Sequence, residues 1–256
     1  FNSTRVILVL DSISFLISAL ILVIMGGQWD ASTLNNNNNN TEQNSPLQLL
    51  QDMVIGGAKY IQSSKFWPLV FIKVSAAIVY GASDVLNVSF SEENIGINEA
   101  ESSRRLGALF FCVGFGCLIG PLIANLFTSM KDMSTILNAC IISYAVQMLG
   151  WLGIRFFDPF PYIAVFTVVR SIGSSVQWIN SSLLLQTYSQ PDMLGRVLAV
   201  DYALALLGES IAAMMSGLLQ DKGMSSREVS GILSYIAGLF FLVWSIYGIR
   251  SNITKG

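Results

Sequence analysis

The sequence predicts an all-α polytopic membrane protein, one transmembrane helix followed by a bundle of six. Three observations lead there. Only 12% of the 256 residues are charged while 53% are apolar, against about 25% charged in an ordinary soluble domain. The mean hydropathy is +0.59. Seven charge-poor stretches recur along the chain, each long enough to cross roughly 30 Å of hydrocarbon. None alternates strictly as a barrel strand does, and in lipid a helix is then the remaining way to pair every backbone group. A soluble enzyme and a secreted disulfide scaffold are excluded. With a net charge of −2 and no basic run, so is a nucleic-acid binder.

The first span is Val6–Met25. It starts so close to Phe1, with no basic region or cleavage site before it, that a signal peptide is not expected. We read the chain as the C-terminal part of a longer protein. Residues 26–65 form a polar connection holding six consecutive asparagines, Asn35–Asn40. Such a run cannot bury an apolar face and is expected to be disordered. After it, Leu47, Leu50, Val54 and Ile61 recur at helical spacing among Gln48, Gln51, Asp52 and Lys59, as in a short amphipathic helix on the membrane surface.

Six further spans occupy 66–250, leaving 251–256 as a tail. They are Phe66–Phe90, Arg104–Phe127, Met133–Arg155, Phe160–Tyr188, Leu194–Leu219 and Val229–Ile249. Short connections predict that successive helices are antiparallel neighbours. Gly107, Gly114, Gly116 and Gly120 mark Arg104–Phe127 for close helix contact, since small residues let backbones approach in lipid. Val229–Ile249 is apolar around most of its circumference and is expected to face lipid. The Lys and Arg residues near the span ends divide six against six between the two sides, so the charge rule leaves the orientation open.

There is no histidine, hence no near-neutral proton relay of the usual kind. Cys112, Cys117 and Cys140 all fall in apolar stretches and read as small buried hydrophobes. No phosphate loop, metal-ligand spacing or nucleophile triad is present, so neither catalysis nor a cofactor or metal is expected.

Ionisable groups inside spans are costly and mark a pathway or a structural pair. In Phe160–Tyr188, Thr167, Arg170, Ser174, Gln177 and Ser181 share one arc, because positions three, four, seven and eleven apart lie on one helix face. That stripe predicts a wall of a water-accessible cavity, or a seam of interhelical hydrogen bonds. Asn180 falls beside it. Phe66–Phe90 carries Lys73, Tyr80, Asp84 and Asn87. Lys73 either belongs to the pathway or snorkels about 10 Å to the interface. Leu194–Leu219 carries Asp201 and Glu209. If consecutive helices pair, Arg170 and Glu209 sit at equal depth and face each other. They form either a structural ion pair or a carboxylate whose protonation follows substrate movement.

Three stretches resemble a known family. Leu10-Asp11-Ser12-Ile13-Ser14-Phe15-Leu16-Ile17-Ser18-Ala19-Leu20 resembles the sixth helix of major facilitator superfamily exporters, most closely the branch of bacterial enterobactin exporters and macrolide efflux proteins. Gln190-Pro191-Asp192-Met193-Leu194-Gly195-Arg196-Val197 is similar to that branch's loop between helices ten and eleven. Ser216-Gly217-Leu218-Leu219-Gln220-Asp221-Lys222-Gly223 is similar to the end of its helix eleven. The resemblance covers nearly the whole chain as helix six, an interhalf loop and helices seven to twelve. One departure concerns Gly120-Pro121-Leu122-Ile123-Ala124-Asn125, where family members often have Gly-x-x-x-Asp-Arg.

The resemblance implies a half-transporter whose missing N-terminal half is its partner, working by alternating access at a midplane site. It also implies that 26–65 is cytoplasmic. Helices seven, eight, ten and eleven would line the cavity, with nine and twelve outside. The expected activity is export of a small organic molecule coupled to protons, with a plasma membrane the expected location. Asp84, Arg170, Asp201 and Glu209 are the candidates for coupling or substrate contact, and Ser174, Gln177 and Asn180 for neutral hydrogen bonds. A scaffold or receptor on the same fold, or a channel subunit, are the alternatives.

Overall fold

The computed structural model describes residues 13, 17, 46–64, 66–93, 98–129 and 132–253. The chain divides into two compact units, 1–49 and 50–256. Of the first expected span only Ile13 and Ile17, both helical, are described; the rest of it and the asparagine run lie outside the described residues. Apart from residues 46–49, which begin a helix that runs into it, everything below concerns the second unit.

The described residues are helical, with no strand among them beyond an isolated bridge between Ser129 and Asp132. The helices are α1 (Pro46–Ser63), α2 (Trp67–Tyr80), α3 (Ser83–Ser91), α4 (Glu99–Ala124), α5 (Met133–Phe156), α6 (Phe160–Tyr188), α7 (Leu194–Asp221) and α8 (Ser226–Ile253). Five segments are long and apolar enough to cross a membrane: α2 with α3, α4, α5, α7 with the turn before it, and α8. The chain is a multi-pass, all-helical membrane protein by length and composition. The fifth expected span, Phe160–Tyr188, forms a helix with the expected bounds but is not apolar enough to join the other five described. The reason is its neighbours. α6 packs against α5 and α4 above all and also meets α2 and α7, so its buried residues include Thr167, Arg170, Ser171, Ser175, Gln177, Asn180 and Ser181.

Local chemistry explains the boundaries. α4 begins earlier than expected because Asn98 caps it, its side chain accepting the Glu101 backbone N–H at 2.8 Å, with Glu99 and Glu101 in the positive first turn. Asp132 caps α5 by accepting the Ser134 N–H at 3.0 Å. α7 stops before Gly223, whose φ of 92° suits glycine. The expected single span Phe66–Phe90 is interrupted between Tyr80 and Ser83. There Gly81 lies against the backbone of Glu209, leaving no room for a Cβ.

The rule of consecutive neighbours fails in part. α5 does pack on α6, but α4 packs on α6 and α3, and α7 packs chiefly on α2. The glycine seams account for this. Cβ atoms on Gly116 and Gly120 would stand 2.7 Å from the carbonyls of Val168 and Ile172 on α6, while Gly107 and Gly114 meet nothing within 4 Å. On the other side of α6, a Cβ on Gly150 of α5 would stand 2.6 Å from the Arg170 backbone nitrogen. α6 is thus clasped by glycine contacts from two helices.

Two further helices show which of their faces the bundle covers. α8 does not face lipid all round: Ser230, Leu233, Ser234, Ala237 and Trp244 are buried, with α5 its main neighbour, while Tyr235, Leu239, Leu242, Val243 and Ile246 are exposed. The helix expected on the membrane surface exists as α1, but its end docks on the bundle. Ile61 is buried with Val70, Leu185, Val197 and Val200, and the Tyr60 hydroxyl accepts the Gln190 N–H at 3.1 Å. On the opposite face Arg227 ties three loops together. It donates to both Glu93 carboxylate oxygens at 2.6 and 3.0 Å and to the carbonyls of Ile154, Phe157 and Asp158.

Candidate functional site

The polar residues inside the bundle form three connected places. The first is a buried ion pair. Lys73 does not snorkel; it is fully buried on α2. Its Nζ donates to Asp201 Oδ2 on α7 at 2.5 Å and to Ser182 Oγ on α6 at 2.6 Å. The rings of Trp178 and Tyr202 lie 5.0 and 4.3 Å from the ammonium and meet edge to face. A charge removed from water needs a partner of this kind, and the rings add cation–π attraction.

The second is Arg170, 2% exposed. It does not pair with Glu209, and no carboxylate among the described residues lies within ion-pair distance of it. α7 packs on α2 far more than on α6, so equal depth does not bring the two side chains together. Instead Nη1 donates to Ser83 Oγ at 2.5 Å and Nη2 to Asn87 Oδ1 at 2.7 Å, both on α3. The guanidinium lies 4.5 Å from the Trp151 ring. Arg170 Nε, Asn87 Nδ2, Gln147 Nε2 and the hydroxyls of Thr167 and Ser171 are buried without a protein partner. An unsatisfied buried polar group costs about 1–3 kcal/mol, so this seam is a polar reserve that an apolar core would not carry.

The third is an open cavity of about 420 Å³ lined by Ala76, Tyr80, Cys117, Ser174, Ser175, Trp178, Ile179 and Glu209. That size falls in the range of small-molecule sites. Trp178 is shared between this wall and the Lys73 pair. Arg170 lies within electrostatic reach of Tyr80 and Cys117, and Asp84 within reach of Glu209. A second cavity, about 370 Å³ between α4, α5 and α6, is lined by apolar and neutral residues such as Ile123, Ile142 and Val176 and carries no charge.

The expected residues are therefore divided. Ser174 and Glu209 share the cavity. Asp201 is locked to Lys73. Asp84 is exposed in the first turn of α3. Gln177 belongs to a structural network: its side chain bonds to Ser143 and donates to the Ile72 carbonyl at 3.3 Å. The Tyr144 hydroxyl donates to the same carbonyl at 2.6 Å. Asn180 lines a separate cleft with Asn125 and Thr128. Of the cysteines only Cys140 is fully buried; Cys112 and Cys117 are partly exposed. Lys73, left open between pathway and interface by the sequence, joins the centre, and Ser83, Trp151 and Trp178, not among the expected residues, complete it. Lys73 carried a signal in its charge; the aromatic pair carried none, since tryptophans in apolar helices are ordinary.

The fold and these polar centres define a class, a multi-pass helical membrane protein with a charged interior and a cavity. Comparison of the chain with protein-family models, curated proteins and solved structures finds no match.

Proposed function

We propose that the chain is the C-terminal half of a secondary active transporter, one helix plus a six-helix bundle. In this reading it exports a small organic molecule across a plasma membrane by proton-coupled alternating access. The observation that carries the reading is Glu209, half-buried on a membrane-crossing helix at the wall of a 420 Å³ cavity. An ionisable group at such a place serves a pathway by default. The interrupted span at Gly81 beside Glu209 supports it, since discontinuous helices commonly border transport sites. So does the placing of charge on α2, α3, α6 and α7, which correspond to three of the four family helices the resemblance assigns to the cavity; the fourth, α4, contributes Cys117. Asp84 and Glu209 are the candidates for proton coupling.

The test is flux in vesicles reconstituted with the full-length protein. Under an imposed pH gradient, a panel of fluorescent small molecules of differing charge should include one that moves saturably. The Glu209→Gln and Asp84→Asn variants should weaken its dependence on the gradient. No gradient-driven flux above protein-free vesicles argues for a scaffold, and unitary currents for a channel. Either result overturns the proposal.

A further inference from the structure

The cavity's wall carries charge of one sign. Glu209 is its acidic side chain, beside two aromatic rings, two serines, a cysteine and two aliphatic residues. Among the described residues Glu209 makes no ion pair. Of the neighbouring cations, Lys73 is paired with Asp201, whereas Arg170 has the neutral partners Ser83, Asn87 and the Trp151 ring and lies within electrostatic reach of Asp84. Asp84 adds a second negative charge within reach of Glu209. The Trp178 ring, part of this wall, has the Lys73 ammonium 5.0 Å from its centre, and that ammonium is paired with Asp201.

We propose that the cavity binds a monovalent organic cation with a compact apolar body, its charge against Glu209 and its body against Trp178, Tyr80 and Ile179. This deepens the transport proposal and rests on its reading of the cavity as a substrate site. An anion of the same shape meets Glu209 with like charge. A neutral molecule desolvates that carboxylate and gives it no partner, which is unfavourable. A cation does neither and gains from the aromatic faces.

The probe is radiolabelled benzyltrimethylammonium, with the protein in lipid nanodiscs. Its comparators are benzenesulfonate, an anion of similar size, and neopentylbenzene, in which carbon replaces the charged nitrogen. Saturable binding of the cation, not displaced by either comparator, is expected. Glu209→Gln should raise its Kd about tenfold or more, equivalent to about 1.4 kcal/mol. Alkylating Cys117 with N-ethylmaleimide, confirmed by mass spectrometry, fills the cavity and should abolish binding. This arm needs no variant to fold. Absent binding, equal displacement by the anion, an unchanged Kd in Glu209→Gln, or binding that survives modified Cys117 each overturns the site. Cation binding without flux in the vesicle assay rejects transport and keeps the site; flux of other solutes without cation binding does the reverse.

Discussion

Replacing Lys73 by Met or Asp201 by Leu tests the buried pair most directly. Both side chains are at most 2% exposed and 2.5 Å apart. An exposed pair contributes about 0–1 kcal/mol, whereas removing one member of a buried pair leaves the other charged and unpaired, at about 3–5 kcal/mol. Among the described residues, Ser182 is the one neutral side-chain oxygen left to Lys73 in Asp201→Leu, and in Lys73→Met Asp201 keeps no hydrogen-bond partner, so both losses belong near the upper end. The double variant puts two apolar side chains of similar volume in their place and should recover most of the stability, because neither charge remains. Reversible unfolding in mixed micelles measures all four proteins. The reasoning is refuted if either single variant loses less than about 1 kcal/mol, or if the double loses the sum of the singles, since coupled neighbours are non-additive.

Other outcomes follow from the packing. Gly120→Leu should cost about 1–3 kcal/mol by overpacking against α6, while Gly107→Ala and Gly114→Ala, with nothing within 4 Å, should be neutral in the same unfolding assay. Arg170→Lys should destabilise although it keeps the charge, because a single ammonium cannot reproduce the planar fork that reaches Ser83 and Asn87 together; an unfolding midpoint equal to that of the unsubstituted protein would contradict this. Arg227→Gln should release the loops it ties, seen as faster amide exchange around residues 93 and 157–159 with little change in α6.

How much of this was legible in the sequence differs by element. α6 was bounded correctly because Pro159 and Pro161 stand at its start and the chain turns at Gln190 and Pro191. The start of α4 was missed although Asn98 and Glu101 are spaced as a cap, because acidic residues there look like loop. The charged residues themselves were visible; their partners were not. Equal depth points to α6 and α7, consecutive in the chain, where the packed pair is α2 and α7. Phe66 and Tyr188 lie with ring centres 6.2 Å apart, so α2 and α7 begin at the same end. Counted from there, Lys73 and Asp201 stand at nearly the same height. That match was available in the sequence, but only to a reader who knew which helices touch. The polar stripe on α6 was real as a pattern, yet its members face three different neighbours, because a helix clasped on several sides uses each polar residue against a different partner.

The distance of 128 residues between Lys73 and Asp201 along the chain has a bearing on biogenesis. At about 5–20 residues per second, the ribosome makes Asp201 roughly 6–25 s after Lys73. The span bearing Lys73 therefore enters the bilayer with an ammonium whose counter-ion has not been synthesised. A lysine at the centre of an inserting helix costs about 2.5–3.5 kcal/mol; Lys73, near the start of Trp67–Ser91, costs less, and the apolar residues of that span offset it alone during that interval. Final seating of this helix waits for α7, so the order of synthesis makes α7 the span that completes the buried pair.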